Sequence, residues 1–92
     1  GHAAANMLPV VAANRIGTEQ GRDFAQTYYG SSFIADATGD KLQAADRHTE
    51  TILINRFELD ALALARQAWG LFRDRRPQTY GCLATSDGIQ HA

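Results

Sequence analysis

Ninety-two residues leave room for one small domain, and a chain of that size withdraws only about 60–65% of its unfolded surface from water on folding, so its margin of stability is narrow. Nine Lys and Arg stand against ten Asp and Glu, for a net charge of −1, with 45% hydrophobic residues; that balance creates no general field to attract DNA, RNA or an anionic membrane. No apolar run nears the roughly 18 residues of a spanning helix, the start "GHAAANMLP" lacks a basic-then-apolar leader pattern, and a single cysteine, Cys82, excludes an internal disulfide and suits a reducing, cytoplasmic compartment.

In chain order, "GHAAANML" is alanine-rich and helical, and Pro9 closes it, because proline disfavours helix in the residue before it. There is no initiator Met, and the opening reads as the tail of a helix, as if the chain were a piece of something longer. "PVVAANRIG" is a β-branched, nearly continuous apolar run, the pattern of a strand buried on both faces. "TEQGRDFAQT", Thr18 to Thr27, is polar without a period and reads as a loop. "YYGSSFIADATGDKLQAAD" gives two strands around the turn Thr38-Gly39-Asp40, hence a hairpin. After the break "RHTE", the run "TILINRF" predicts another strand, and three successive strands predict a meander.

From Glu58 to Trp69 the period changes. Leu59, Leu62, Ala63 and Arg66 fall on one helical side, Glu58 and Asp60 occupy the first turn where the helix dipole favours anions, and Gly70 supplies a C-cap. "LFRDRRPQTY" and the tail "GCLATSDGIQHA" follow. The pattern predicts an α+β layer whose open apolar face needs a second layer, with too little strand in the chain to build one.

A complete catalytic constellation is missing. Cys82 in "YGCLATS" has no base near it in sequence, and the incidental reading is favoured. His2, His48 and His91 have no metal-ligand spacing. Lys41, the lone lysine, reads as a solvated turn charge. "YYGSSF" lacks the final glycine of a nucleophile elbow and leads into a strand, while its Gly30 fits a bulge or a close backbone approach. In "WGLFRDRRP", Arg73, Arg75 and Arg76 beside Trp69, Phe72 and Tyr80 fit either a grip for single-stranded nucleic acid or charges that hold the protein together. The negative net charge, and Asp74 inside the cluster, weigh against the first.

The stretches "GHAAANMLPVVAANRIGTE", "YYGSSFIADATGD", "FELDALALARQAWGLFRDRRPQTY" and "LATSDG" resemble the C-terminal part of the carbon-nitrogen hydrolase, or nitrilase, superfamily, and within it the N-carbamoylputrescine amidase family. The resemblance implies the C-terminal part of an α-β-β-α sandwich, incomplete on its own, with residues 1–80 in the hydrolase domain and 81–92 as a tail. It also implies catalysis by a glutamate base, a lysine and a cysteine nucleophile that all lie upstream, so that Glu19, Lys41 and Cys82 inherit no role and the isolated chain is expected to be inactive. No metal or organic cofactor is implied. The small-molecule substrate belongs to the full-length enzyme, a homo-oligomer, with neither nucleic acid nor membrane as partner.

Support roles are what the resemblance carries over. Asn14 and Arg15, at the end of a strand near the pocket, are candidates for substrate binding or for pocket-wall positions; the competing reading is that they pair with local backbone or carboxylates. Trp69, Phe72, Arg73, Asp74, Arg75 and Arg76 are expected at a structural joint or subunit interface, since guanidinium groups hold carboxylates and carbonyls in fixed geometry. The remaining alternative is a truncated, non-catalytic interaction domain.

Overall fold

Short elements follow from a sequence that interrupts itself every few residues with glycine, proline or a side chain that competes for the backbone. A computed structural model describes residues 1–89. Its elements are α1 (His2–Asn6), β1 (Val10–Ala12), β2 (Ile16–Gln20), β3 (Ala25–Tyr29), β4 (Phe33–Ala35), β5 (Lys41–Ala44) and α2 (Leu59–Trp69), followed by two 3-10 turns, Pro77–Thr79 and Gly81–Ala84. The first helix ends as expected before Pro9, with Met7 in the left-handed region at φ 50°.

Strands β1, β4 and β5 form one antiparallel sheet in the order β1-β4-β5, with Val11 opposite Ile34 and Ile34 opposite Gln43. The predicted hairpin is β4 and β5. Its turn is closed by Asp36, whose Oδ1 accepts from Thr38 N (2.9 Å), Thr38 Oγ1 (2.7 Å) and Asp40 N (3.0 Å). Three expectations are corrected. The run "VVAANRIG" is two short strands, not one buried strand; β1 has a single neighbour and Val11 stays 70% exposed. The segment Thr18 to Thr27 is a hairpin, not a loop. β2 and β3 pair antiparallel from Ile16 opposite Tyr29 to Gln20 opposite Ala25, with a Thr18–Thr27 hydroxyl contact of 3.0 Å across the strands. Both faces of this hairpin are largely solvated, so it carries no apolar alternation and is held by cross-strand polar pairs.

The third correction concerns "TILINRF". Residues 51–57 join no ladder among the described residues, and the third strand of the sheet is β1, so the predicted meander is replaced by the order above. Ile52 and Ile54 are 83% and 79% exposed, alternating with the partly covered Leu53 and Asn55. The Gln43 carboxamide donates to the Ile54 carbonyl. Propensity makes a segment strand-like, but a ladder needs a neighbour.

The described core is Ala3, Met7, Ile34 and Ala35. The accessible surface is 7653 Å², against about 5,200 Å² for a compact chain of this mass. The radius of gyration is 19.5 Å, against about 12 Å for a compact domain of this length. Thickness is 14 Å along the shortest axis, a single layer of secondary structure. The apolar side of α2 faces Leu8 across a shallow groove lined by Leu59, Leu62 and Ala63. The expected deficit, a layer without its partner, is thus visible as exposed apolar area.

Candidate functional site

Antiparallel pairing brings three chain crossings to one end of the sheets. Ala12 at the end of β1 faces Phe33 at the start of β4, Phe33 faces Ala44 at the end of β5, and Ile16 faces Tyr29. Segments 13–15, 30–32 and 45–47 therefore meet. Asn14 N–H donates to Ser32 Oγ at 2.7 Å, Ser32 Oγ–H donates to the Asn14 carbonyl at 3.2 Å, and Asn14 Nδ2 donates to the Gly30 carbonyl at 2.8 Å. Backbone bonds from Gly30 N to Arg15 O (2.9 Å), from Ser31 N to Asp46 O (3.1 Å) and from Ala45 N to Ser32 O (2.7 Å) complete the junction.

The crossing is tight enough to require glycine. Gly30 has φ 56°, and a Cβ there would lie 2.6 Å from Ile16 Cγ2 and 3.0 Å from Asp46 O. The close backbone approach expected at Gly30 is what the junction uses. Ser31 follows with φ 62°, a conformation that costs a non-glycine residue of order 1 kcal/mol and persists where the surroundings enforce it.

Beside the junction lies a cavity of about 240 Å³, walled by Asn14, Ser32, Asp46, Thr49 and Glu50 together with apolar side chains including Ile16 and Phe33. Asp46 is committed to its own turn. Its Oδ1 accepts from His48 N (2.8 Å) and Thr49 N (2.6 Å), and its Oδ2 accepts from Thr49 Oγ1 (2.9 Å). The His48 N–H, then that of Thr49, hold its carboxyl below the usual carboxylate range. The Asn14 Oδ1, by contrast, accepts no hydrogen bond among the described residues.

The two predicted pocket residues are separated. Asn14 is on the cavity wall; Arg15, next to it in the β1–β2 connection, turns its side chain to the β2–β3 hairpin, where Nη1 donates to Glu19 Oε2 at 3.0 Å and the guanidinium stacks 4.2 Å from the Tyr28 ring centroid. Tyr28 Oη donates to the same Glu19 oxygen at 3.2 Å. Sequence reasoning misses Ser32, because "GSSF" lacks the pattern of a nucleophile elbow and its partner Asn14 lies 18 residues earlier. A serine just after a glycine crossing, where hydroxyls bond to nearby backbone, was the available signal.

At the far end of α2, Gly70 adopts φ 65° and its N–H donates to the Arg66 carbonyl. The Arg73 guanidinium folds over Gly70, pairs with Asp74 and donates from Nη1 to the Gln67 carbonyl at 3.3 Å. Arg66 stacks 5.0 Å from the Phe72 ring centroid, and Trp69 is 67% exposed. The side chains of Arg75 and Arg76 are exposed and form no ion pair among the described residues, although the Arg76 N–H donates to Tyr80 Oη at 3.0 Å. Cys82 sits in the second 3-10 turn, its thiol without a hydrogen bond among the described residues. Of the histidines, His91 lies outside the described residues, as do the last three residues of the tail 81–92. Among the described residues no three His, Cys, Asp or Glu side chains gather as metal ligands, and no helix is long and apolar enough to cross a membrane.

Residues 1–67 match the carbon-nitrogen hydrolase family. The chain belongs to that family. It is 59% identical over 80 residues to the citrullinase of Francisella tularensis, covering 87% of this chain and 28% of that protein. It is 50% identical over 93 residues to the N-carbamoylputrescine amidase of Arabidopsis thaliana, covering 96% and 31%. The crystal structure of a carbon-nitrogen hydrolase from Helicobacter pylori superposes with a TM-score of 0.82 at 37% identity, over 94% of this chain and 30% of that one. The fold is therefore that of the carbon-nitrogen hydrolases, and the chain spans about three-tenths of the length of these relatives. The junction of Asn14, Gly30 and Ser32 sets the Asn14 carboxamide, whose Oδ1 accepts no hydrogen bond among the described residues, on the wall of a cavity.

Proposed function

We propose that this chain is the C-terminal part of an amidase that hydrolyses N-carbamoylputrescine to putrescine, ammonia and carbon dioxide, in the formation of polyamines. The likeness to the Arabidopsis N-carbamoylputrescine amidase along nearly the whole chain carries this reading. In the proposed reaction a cysteine thiolate from the part of the enzyme outside this chain attacks the carbamoyl carbon. The bond from that carbon to the putrescine nitrogen breaks as the nitrogen takes up a proton, leaving a carbamoyl thioester. Water, deprotonated by a glutamate, attacks the thioester and frees the thiolate, and the carbamic acid so formed falls apart to ammonia and carbon dioxide.

This chain's contribution is the wall of the pocket. With Nδ2 donating to the Gly30 carbonyl, the Asn14 carboxamide keeps its oxygen as an acceptor, and a ureido group offers N–H donors to it. Arg15, paired with Glu19 and stacked on Tyr28, shapes the neighbouring hairpin. Cys82 takes no part. The enzyme is proposed to be a cytoplasmic homo-oligomer.

A second substrate is favoured by one observation, the 59% identity to a citrullinase. Citrulline also ends in a ureido group on an aliphatic chain, so the same chemistry serves both, and the difference lies in the amino-acid end. Ammonia release by the full-length enzyme from each compound separates them. The proposal expects kcat/KM for N-carbamoylputrescine to exceed that for citrulline by about tenfold or more, a difference of roughly 1.4 kcal/mol in transition-state binding. The reverse order transfers the assignment to citrulline, and no release from either compound overturns the reading.

A further inference from the structure

We infer that Ser32 is a positioning residue for substrate binding, acting through Asn14. This inference rests on the reading that the cavity takes a ureido substrate, and it concerns what holds the recognising atom in place.

The Ser32 hydroxyl engages Asn14 twice, accepting from its backbone N–H at 2.7 Å and donating to its backbone carbonyl at 3.2 Å. One hydroxyl can do both, since it has one proton to give and lone pairs to receive. Asn14 lies in the connection from β1 to β2, where no ladder bond holds it. Its backbone is therefore fixed by Ser32, and its side chain by the 2.8 Å bond from Nδ2 to the Gly30 carbonyl. Rotating the carboxamide by half a turn would place Oδ1 against the Gly30 oxygen and lose that bond. The oxygen is thus left as a free acceptor on a residue that lines the cavity.

Ser32 is in turn placed by the strained crossing before it. Gly30 and Ser31 both have positive φ, and their N–H groups are taken by Arg15 O and Asp46 O. Ser32 is itself pinned through its carbonyl, which accepts from Ala45 N at 2.7 Å. Three segments far apart in sequence thus fix one acceptor. A group that must meet a ureido N–H within hydrogen-bond range gains from such rigidity, because misplacement weakens binding before it touches the chemical step.

The test uses the full-length enzyme that carries this chain, with N-carbamoylputrescine as substrate. Ser32→Ala is expected to raise KM about three- to tenfold, the worth of about one hydrogen bond, with kcat within about twofold. Ser32→Thr, which keeps the hydroxyl, is expected to restore KM to within about twofold of wild type. On an Asn14→Ala background Ser32→Ala is expected to add nothing to KM, as for two residues acting as one unit. A hydroxyl with a structural role alone gives a lowered melting temperature with wild-type KM, or the same KM increment with and without Asn14; either result overturns the inference. If Ser32→Ala does not fold, Ser32→Cys, which nearly keeps the volume and weakens both bonds, is measured by the same criteria. A wild-type enzyme that hydrolyses N-carbamoylputrescine while Ser32→Ala leaves KM unchanged overturns this inference and not the function. A wild-type enzyme that hydrolyses neither ureido compound overturns the function.

Discussion

Arg73 holds Asp74 at two points, Nε to Oδ1 at 2.9 Å and Nη2 to Oδ2 at 3.2 Å, and reaches back to the Gln67 carbonyl at the end of α2. A cation at a helix C-terminus beside unsatisfied carbonyls is favoured by the helix dipole. The Arg73 side chain therefore closes α2 within its own chain. Arg73→Ala is expected to fray the last turn, seen as faster hydrogen exchange at the Gly70 and Asp74 amides, which donate to Arg66 O and Gly70 O. Both side chains are well exposed, so the loss is local. Unchanged protection at both amides would show that the guanidinium does not hold this end.

Acid is expected to loosen the turns. The Thr38 hydroxyl is the leading cause that lowers Asp36, the His48 N–H lowers Asp46, and the Arg73 guanidinium lowers Asp74, each from an ordinary value of 3.8. A depressed carboxyl contributes stability that is present above its unfolded value and lost as pH falls through its folded value. Stability is thus expected to be level above about pH 5 and to decline progressively below 3.8. Comparing urea midpoints across pH for wild type and Asp46→Asn checks the assignment; an equally steep acid decline in the variant would remove Asp46 from it.

Gly30→Ala is expected to destabilise by about 2–3 kcal/mol, combining the left-handed conformation with a Cβ that meets Ile16 and the Asp46 carbonyl. The urea midpoint of the full-length enzyme is the measurement. A loss below about 0.5 kcal/mol would mean that the three crossings are not packed as described. Gly70→Ala makes the contrast, since the atom its Cβ meets belongs to the movable Arg73 guanidinium, and its cost is expected to be nearer 1 kcal/mol.

How far the fold was legible depended on where its contacts lie. The helix from Leu59 to Trp69, its Gly70 cap and the β4–β5 turn were readable because their determinants are local: a 3.6-residue period, a glycine, an Asx-type side chain. The β2–β3 hairpin was not, because Thr18, Thr27, Glu19 and Tyr28 are joined by polar bonds across strands, and hydropathy does not register such pairs. "TILINRF" misled in the opposite direction. Its β-branched residues prefer a ladder, yet the described chain offers no neighbour to complete one. At the site, the strand-end position marked Asn14 but also Arg15, and only the pairing of β1 with β4 distinguishes them, by bringing Ser32 to Asn14 alone. In the run "RDRR" nothing local tells Arg73, which pairs with Asp74 and reaches the Gln67 carbonyl, from Arg75 and Arg76.

The open layer predicts self-association of the isolated chain. Ile52, Ile54, Leu64, Trp69 and Leu83 are each at least 67% exposed, far more apolar surface than a small monomer leaves in water. Sedimentation of the isolated 92 residues is expected to give concentration-dependent oligomers, and Ile52→Lys with Ile54→Lys to shift them toward monomer. A monodisperse monomer at about 100 μM, with the dispersion of its amide proton signals intact, would contradict the exposed layer; that concentration is roughly where a 5.5 kcal/mol association would be half complete.

Arg75 and Arg76 are the arginines of the run that the chain does not itself employ: their guanidinium groups form no ion pair among the described residues, and they stand beside the exposed Leu71 and Phe72. Aromatic and arginine side chains left together at a surface are the composition of an interface core. In the proposed homo-oligomer these two residues are therefore expected between subunits, where planar donors can meet carboxylates or carbonyls of the neighbour. Arg75→Ala or Arg76→Ala is expected to raise the concentration needed for assembly about tenfold, about 1.4 kcal/mol for a desolvated arginine contact, while turnover per assembled site stays within about twofold. Sedimentation and ammonia release on the same preparation decide it: wild-type assembly with a lost chemical step would move these arginines from the interface to the reaction, and salt-dependent binding of a single-stranded oligonucleotide abolished by either change would return them to the nucleic-acid reading.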